Sequence, residues 1–402
     1  MELRIWAGFL ISSMVLLALA QRRLSLGLFA GAITLGLFTL PPARLGSEIA
    51  ASFLDPPTLL LALAVALIPV IGGGMEESGQ MDELVRNMRI GRKAFLALSP
   101  SLLGMLPMPG GALFSAPLVE KGGEGLDGGE KAALNVWFRH ILFLIYPLTS
   151  SLIVSARIAG LEVYRALPSL LPAFVLSLLL GYHFFLRQAG GRMEYEGSFS
   201  LTKLLRPLSV ILAAPLIDIL GKVLFHLPMK EMATLIGVAV SLALVSILGG
   251  LGLRDLGRIA HRMKAWDFGL LIVGMIAFVN VFRASGVPRL IGELALPPEL
   301  LCVGIASLLG LATGRIQAPA SIVIPIYLAR FGLKAMSPPV FALTYFSTFL
   351  GYVISPVHPC VSVSLEYFRA SMRDFLAAML PPTVAAFILC LLAAFALFSM
   401  AS

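Results

Sequence analysis

The chain has 402 residues, 58% of them apolar and 13% charged. A soluble domain carries about 25% charge, so too little polar surface is present here to cover a soluble core. The net charge of +8 fits Lys and Arg gathered in cytoplasmic loops better than a nucleic-acid surface, and no nucleic-acid partner is expected. Cys302, Cys360 and Cys390 form no CxxC pair, which speaks against disulfides and structural zinc.

Apolar runs recur along the whole chain, and a helix crosses a bilayer in about 20 residues. The first, 4–20, ends in Leu-Ala-Leu-Ala, a small-residue pattern like that before a signal-peptide cleavage site. Its basic residues, Arg22 and Arg23, follow the run instead of preceding it, so a retained helix is expected. Further segments fall at 24–40, 57–74, 94–119, 133–156 and 165–187. A polar linker, 188–204, separates these from a second series at 207–226, 232–252, 268–284, 299–328, 339–362 and 375–399.

The two series match. The run from Ser101 through Val119 aligns with that from Ser307, and the run from Trp137 with that from Tyr345. Leu171-Pro172 aligns with Leu380-Pro381, and Ser78-Gly79 with Ser285-Gly286, always at an offset of 206–209. Four correspondences in order indicate an internal repeat, 1–187 and 205–402. Segments 94–119 and 299–328 each hold two short apolar arms around a Pro/Gly-rich break. They read as re-entrant hairpins whose tips must be buried or face water. Each repeat then has five crossings, an odd number, so the second is inverted. The expected fold is an all-α membrane protein of two inverted repeats, each of about five transmembrane helices plus one re-entrant hairpin. Lys and Arg divide roughly 18 to 11 in favour of the predicted inner side, which places the N-terminus outside. Short amphipathic arms are expected at 79–92 and, more weakly, 287–296.

Three groups of residues are candidates for binding. The tips, Pro109, Gly110 and Gly111 in the first hairpin and Thr313, Gly314, Arg315 and Gln317 in the second, free backbone groups that bind ions or anions. Ser115 and Ser321 add side-chain hydroxyls. The polar breaks after each hairpin, with Thr149 and Ser150 in one and Ser355 and His358 in the other, occupy matching positions. The plainer reading of these hydroxyls is a bond to a carbonyl of their own helix. Arg139, with His140 beside it, is a cation inside an apolar segment, suited to bidentate binding of a carboxylate or phosphate; the plainer reading is snorkelling to the cytoplasmic surface. Asp218 has Lys222 one turn on as its simplest partner.

Catalytic motifs are poor. Glu76-Glu77 resembles an intramembrane prenyl-protease signature but lacks an Arg at the required spacing. His358 and Cys360 are two metal ligands, and two do not make a site. No Walker A loop is present.

The hairpin LPMPGGALFSAPLV, the following WFRH and the late SPVHPC resemble the prokaryotic integral membrane family DUF401, over nearly the whole chain. That family looks like a distant branch of the ion transporter superfamily, which includes divalent anion/sodium symporters and gluconate permeases. The resemblance implies a static scaffold, a mobile domain with two hairpins, horizontal arms, a homodimer and an elevator mechanism in the prokaryotic inner membrane. Divalent-anion members carry Ser-Asn-Thr at the tips. Here Pro-Gly-Gly stands at 109–111 and Gln-Ala-Pro-Ala-Ser at 317–321, so neither dicarboxylate specificity nor sodium coupling carries over.

The expectation is a multi-pass secondary transporter of a small organic anion, with lipid as its surroundings, Na+ or H+ as coupling ion and no other cofactor. A cation/proton antiporter is the rival in mechanism. An intramembrane metalloenzyme is the rival in class, favoured if His140, His358 and Cys360 converge on a metal.

Overall fold

The computed structural model describes residues 2–105, 111–193, 195, 198–225, 227–294 and 296–399, and the regular structure of these residues is entirely helical. α1 (Glu2–Ala20) and α2 (Leu24–Thr39) form an antiparallel pair. α3 (Pro42–Leu54) starts on Pro at its first turn and ends at Asp55. The Asp55 carboxylate caps α4 (Pro56–Glu77), accepting from Thr58 N at 3.0 Å. α4 stops at Ser78-Gly79, where Gly79 takes φ 71°, and α5 (Gln80–Asn87) begins.

α6 (Arg92–Gly104) and α7 (Ala112–Gly122) are the arms of the first hairpin; its tip residues 106–110 fall outside the described set. α8 (Gly128–Ile141) opens on a reciprocal cap between Asp127 and Glu130. It passes through a 3-10 turn, Leu142–Leu144, breaks at Tyr146-Pro147, and resumes as α9 (Ser150–Ile158). α10 (Val163–Gly181) continues through a π-helical turn, Tyr182–Leu186.

The second half follows the same order. α11 (Leu201–Leu224) and α12 (Glu231–Gly249) pair; α13 (Leu253–Arg262) leads to α14 (Ala265–Ala284). α14 also stops at a Ser-Gly, with Gly286 at φ 78°, before the short α15 (Val287–Gly292). A π-helical turn, Leu300–Ile305, and α16 (Ala306–Thr313) form one hairpin arm, and α17 (Gln317–Arg330) the other. α18 (Pro338–Val353) breaks before α19 (Pro359–Phe368), and α20 (Met372–Ser399) closes the chain.

Among the described residues, seven helices are long and apolar enough to cross a bilayer: α1, α4, α10 with its extension, α11, α12, α14 and α20. α2 is apolar but has 16 residues, and the remaining expected crossings are the broken pairs α8/α9 and α18/α19. The protein is a multi-pass membrane protein. Large apolar side chains left exposed, such as Met14, Leu220, Ile247, Leu392 and Phe395, face the lipid that such a chain requires.

Packing sorts the helices into two groups. α1–α4 pack with α11–α14, whereas α6–α10 pack with α16–α20. Within the second group the backbones touch at glycine. A Cβ on Gly104 of α6 would meet the carbonyl oxygen of Arg139 at 1.7 Å, and one on Gly310 of α16 would meet that of Thr348 at 2.3 Å. Small residues permit such approach where no water drives association.

Several boundaries differ from expectation. α3 and α13 are helices where only connections were read, because each is short and amphipathic, with too few apolar residues to register as a span. α13 carries Arg258 and Arg262, which pair with Glu76 and Glu77 at the end of α4. These acids therefore have structural partners distant in sequence. The arms are shorter than expected, ending at Asn87 and Gly292, and α11 starts at Leu201, inside the stretch read as linker.

Candidate functional site

The two broken helices meet in the middle of the second packing group. α8 contacts α6, α7, α19 and α20, and α18 contacts α10, α16 and α20. Buried polar bonds tie the pieces together. Ser101 of α6 donates to the Phe138 carbonyl at 2.7 Å, and Ser355 in the second break donates to that of Leu311 at 2.6 Å. Tyr345 of α18 hydrogen-bonds Ser151 of α9 at 2.9 Å and donates to the Phe143 carbonyl at 3.1 Å. Gln317, at the start of α17, reaches Ser150 at the start of α9 at 3.4 Å. The second tip rests directly on the second break: Gly314, at φ 57°, leaves only 2.8 Å between an added Cβ and the His358 nitrogen.

At the centre stands a cluster from both halves of the chain. Arg139 is 4% exposed, not at the surface where snorkelling would put it. Its Nη1 lies 3.4 Å from Ser115 Oγ of α7, and its guanidinium lies against Cys360 and near Tyr352. Arg315, from the second tip, also neighbours Tyr352. No acid stands among the charged neighbours of either guanidinium within the described residues. His140 sits edge-on to Tyr352, Phe143 and His358, with ring centroids 5.2, 5.1 and 4.7 Å away. His358 packs on Tyr352 at 4.0 Å. The ligand atoms of His140, His358 and Cys360 all lie within 4.8 Å of one another. His140, named from the sequence as the possible third ligand, thus does converge with His358 and Cys360.

The remaining candidates divide. Ser321 donates to the Gln317 carbonyl at 2.9 Å and Thr149 to that of Tyr146 at 3.1 Å, each a bond to local backbone. Thr313 bonds Leu309 and also closes the tip turn with Arg315. Gly111 is buried at the foot of α7, while Pro109 and Gly110 lie outside the described residues. Two residues were missed. Tyr352 joins both arginines and both histidines. Asn135 on α8 donates to Ser364 at 3.0 Å and to Ala112 O at 3.4 Å, leaving its buried Oδ1 without a partner. A lone amide in an apolar helix was the available signal for Asn135.

Asp218 lies elsewhere. Its carboxylate accepts from Lys222 at 2.8 Å, Thr234 at 2.8 Å and Tyr164 at 2.7 Å, a satisfied network that ties α10 to α11 and α12.

Two adjoining cavities of about 760 and 480 Å³ share Ile158, Val279 and Arg283. Both open between the ends of α14 and α9, the larger against the junction of α3 and α4 and the smaller against the end of α17. Because α9 starts at the site and spans roughly 12 Å, the cavities lie about one short helix from Ser150.

A family model described as "Protein of unknown function (DUF401)" matches residues 7–397. The chain belongs to the DUF401 family. No curated protein matches this DUF401 chain. Its fold is similar to that of the Alcanivorax borkumensis YdaH transporter, whose crystal structure is described as having an unusual topology. The TM-score is 0.66 at 15% identity, over 97% of this chain and 98% of that one.

Proposed function

We propose that this protein is a secondary active transporter of a small organic anion, coupled to Na+ or H+ and working by elevator-type alternating access. One observation carries the reading: Arg139 and Arg315, one from each half of the chain, both neighbour Tyr352, and among the described residues no acid stands beside either. An unpaired cation away from water is costly, and a carboxylate or phosphate supplies both the charge and the paired acceptors a guanidinium needs. The helix ends and tip backbone around it add further donors.

The inverted-repeat reading rests on the matching order of elements in the two halves, the paired Ser-Gly stops at Gly79 and Gly286, and the glycine contacts at Gly104 and Gly310. In an inverted arrangement the group containing α6–α10 and α16–α20 is the moving part and α1–α4 with α11–α14 the scaffold. The ends of α9, α14 and α17 then share the outer side, which makes the two cavities an outer vestibule. An inner-membrane location with the N-terminus outside, and a homodimer through the scaffold, belong to the same reading.

Antiporters of cations need carboxylates at the site, and the one acid buried among the described residues, Asp218, is engaged elsewhere by Lys222, Thr234 and Tyr164. The convergence of His140, His358 and Cys360 does favour metal chemistry. A hydrolytic metalloenzyme, however, also needs a general base aimed at the metal-bound water, and no acid lines the cluster among the described residues.

Reconstitution into liposomes tests the proposal. Labelled mono-, di- and tricarboxylates should accumulate under an inward Na+ or H+ gradient, and Arg139→Ala should abolish the uptake. Accumulation of organic cations instead would overturn it.

A further inference from the structure

We infer that His140, His358 and Cys360 form a binding site for a thiophilic d10 metal cation, Cu+ or Zn2+, at the junction of the two broken helices. The inference goes beyond the anion reading and does not depend on it. Three ligand atoms of the right chemistry lie within 4.8 Å of one another. Ligand atoms around tetrahedral zinc stand roughly 3.3–3.6 Å apart, given Zn–N and Zn–S bonds of about 2.0 and 2.3 Å, so side-chain shifts of about 1 Å close the set.

The supporting contacts select the right atoms. His140 Nδ1 lies 2.7 Å from the Val136 carbonyl oxygen. A carbonyl only accepts, so Nδ1 carries the proton and Nε2 keeps the lone pair that a metal takes. Backbone support of this kind is the usual second tier of a histidine–metal site. His358 supplies an independent pointer: it is 2% exposed, and its buried Nδ1 has no hydrogen-bond partner. Such an atom calls for a proton donor or a metal. Cys360 is a free, partly exposed thiol, with the Arg139 guanidinium against it, a donor compatible with the thiolate that metals require.

Charge orders the two candidates. Binding displaces the thiol proton, so Cu+ with one thiolate and two imidazoles is neutral overall, whereas Zn2+ leaves one positive charge beside two guanidiniums. Three-coordination with soft sulfur also suits Cu+. Cu+ should therefore bind the tighter of the two.

The test is an anaerobic titration of the purified full-length protein with Cu+ against a chromophoric Cu+ chelator, and separately with Zn2+. The background is Cys302→Ser with Cys390→Ser, which removes the other thiols. One equivalent per chain is expected, weakened by more than about 100-fold in Cys360→Ser and in His140→Ala, beyond the 10- to 100-fold that loss of a merely supporting group causes. Bound metal should also protect Cys360 from alkylation in the otherwise unmutated background protein, a readout that needs no change at the site. Failure to bind either ion stoichiometrically, or binding and alkylation indifferent to Cys360 and His140, overturns it.

Discussion

The imidazoles of His140 and His358 stand 4.7 Å apart, centroid to centroid, although one comes from the first broken helix and the other from the second. Their meeting fixes where the halves of the chain join, and Arg139 and Arg315 each neighbour Tyr352 beside it. The predictions below follow from that junction and from the helices that support it.

The approach of α6 to α8 has no room for a side chain at Gly104, where a Cβ would fall 1.7 Å from the Arg139 carbonyl oxygen. Gly104→Ala should therefore destabilise the protein by about 1–3 kcal/mol or more, seen as a lower melting temperature in detergent. Gly257→Ala on α13, where an added Cβ meets nothing within 4 Å, should be neutral or stabilising by up to about 1 kcal/mol. Equal effects at the two positions would contradict the packing described.

Asp218 is held by three partners away from the site, so a structural role is expected of it. Asp218→Asn should destabilise the protein by about 1–3 kcal/mol, as a charged network losing one member does, seen as a lower melting temperature, while ligand binding stays at the wild-type level. Loss of coupled transport with unchanged stability would instead make Asp218 part of the coupling path.

The inverted topology predicts opposite sides for the two hairpin bases. Gly122 is a poor labelling site because Leu96 occupies the space of its Cβ; the exposed neighbour Lys121 serves better. Lys121→Cys should label from the cytoplasm and Lys334→Cys from outside. Labelling of both from one side would defeat the inverted arrangement.

Gly314 takes a left-handed conformation against the second break. Gly314→Ala is strained by φ and by the contact with His358, and should weaken ligand binding about tenfold or more by displacing the tip. Wild-type affinity in a folded variant would remove the tip from the site.

Much of this arrangement is legible in the sequence, and for a physical reason. Pro and Gly inside apolar arms are rare and disruptive, so both breaks and the turn between α16 and α17 announce themselves; the expected first tip lies outside the described residues. Arg139 stands out because a charge in an apolar run is costly. α3 and α13 were missed because short amphipathic helices lack the continuous apolar run that marks a span. The three possible metal ligands, His140, His358 and Cys360, were nameable from the sequence, but their convergence was not, since His140 reaches the other two only through the packing of α8 on α19. Tyr352 gave no signal, since an aromatic residue in an apolar helix is ordinary until its neighbours are known.

The central claim is that the junction binds an anion through Arg139 and Arg315, and a thermal-shift screen of purified protein against organic acids, with and without Na+, tests it most directly. At least one mono- or dicarboxylate should raise the melting temperature of the wild type. Arg139→Ala, losing a charge-assisted hydrogen-bond pair of about 2–3 kcal/mol, should need roughly 30- to 100-fold more of it, and Arg139→Lys should fall between because it keeps the charge without the planar fork. Stabilisation by organic cations alone, or by an acid acting equally on the wild type, Arg139→Ala and Arg315→Ala, would contradict the account.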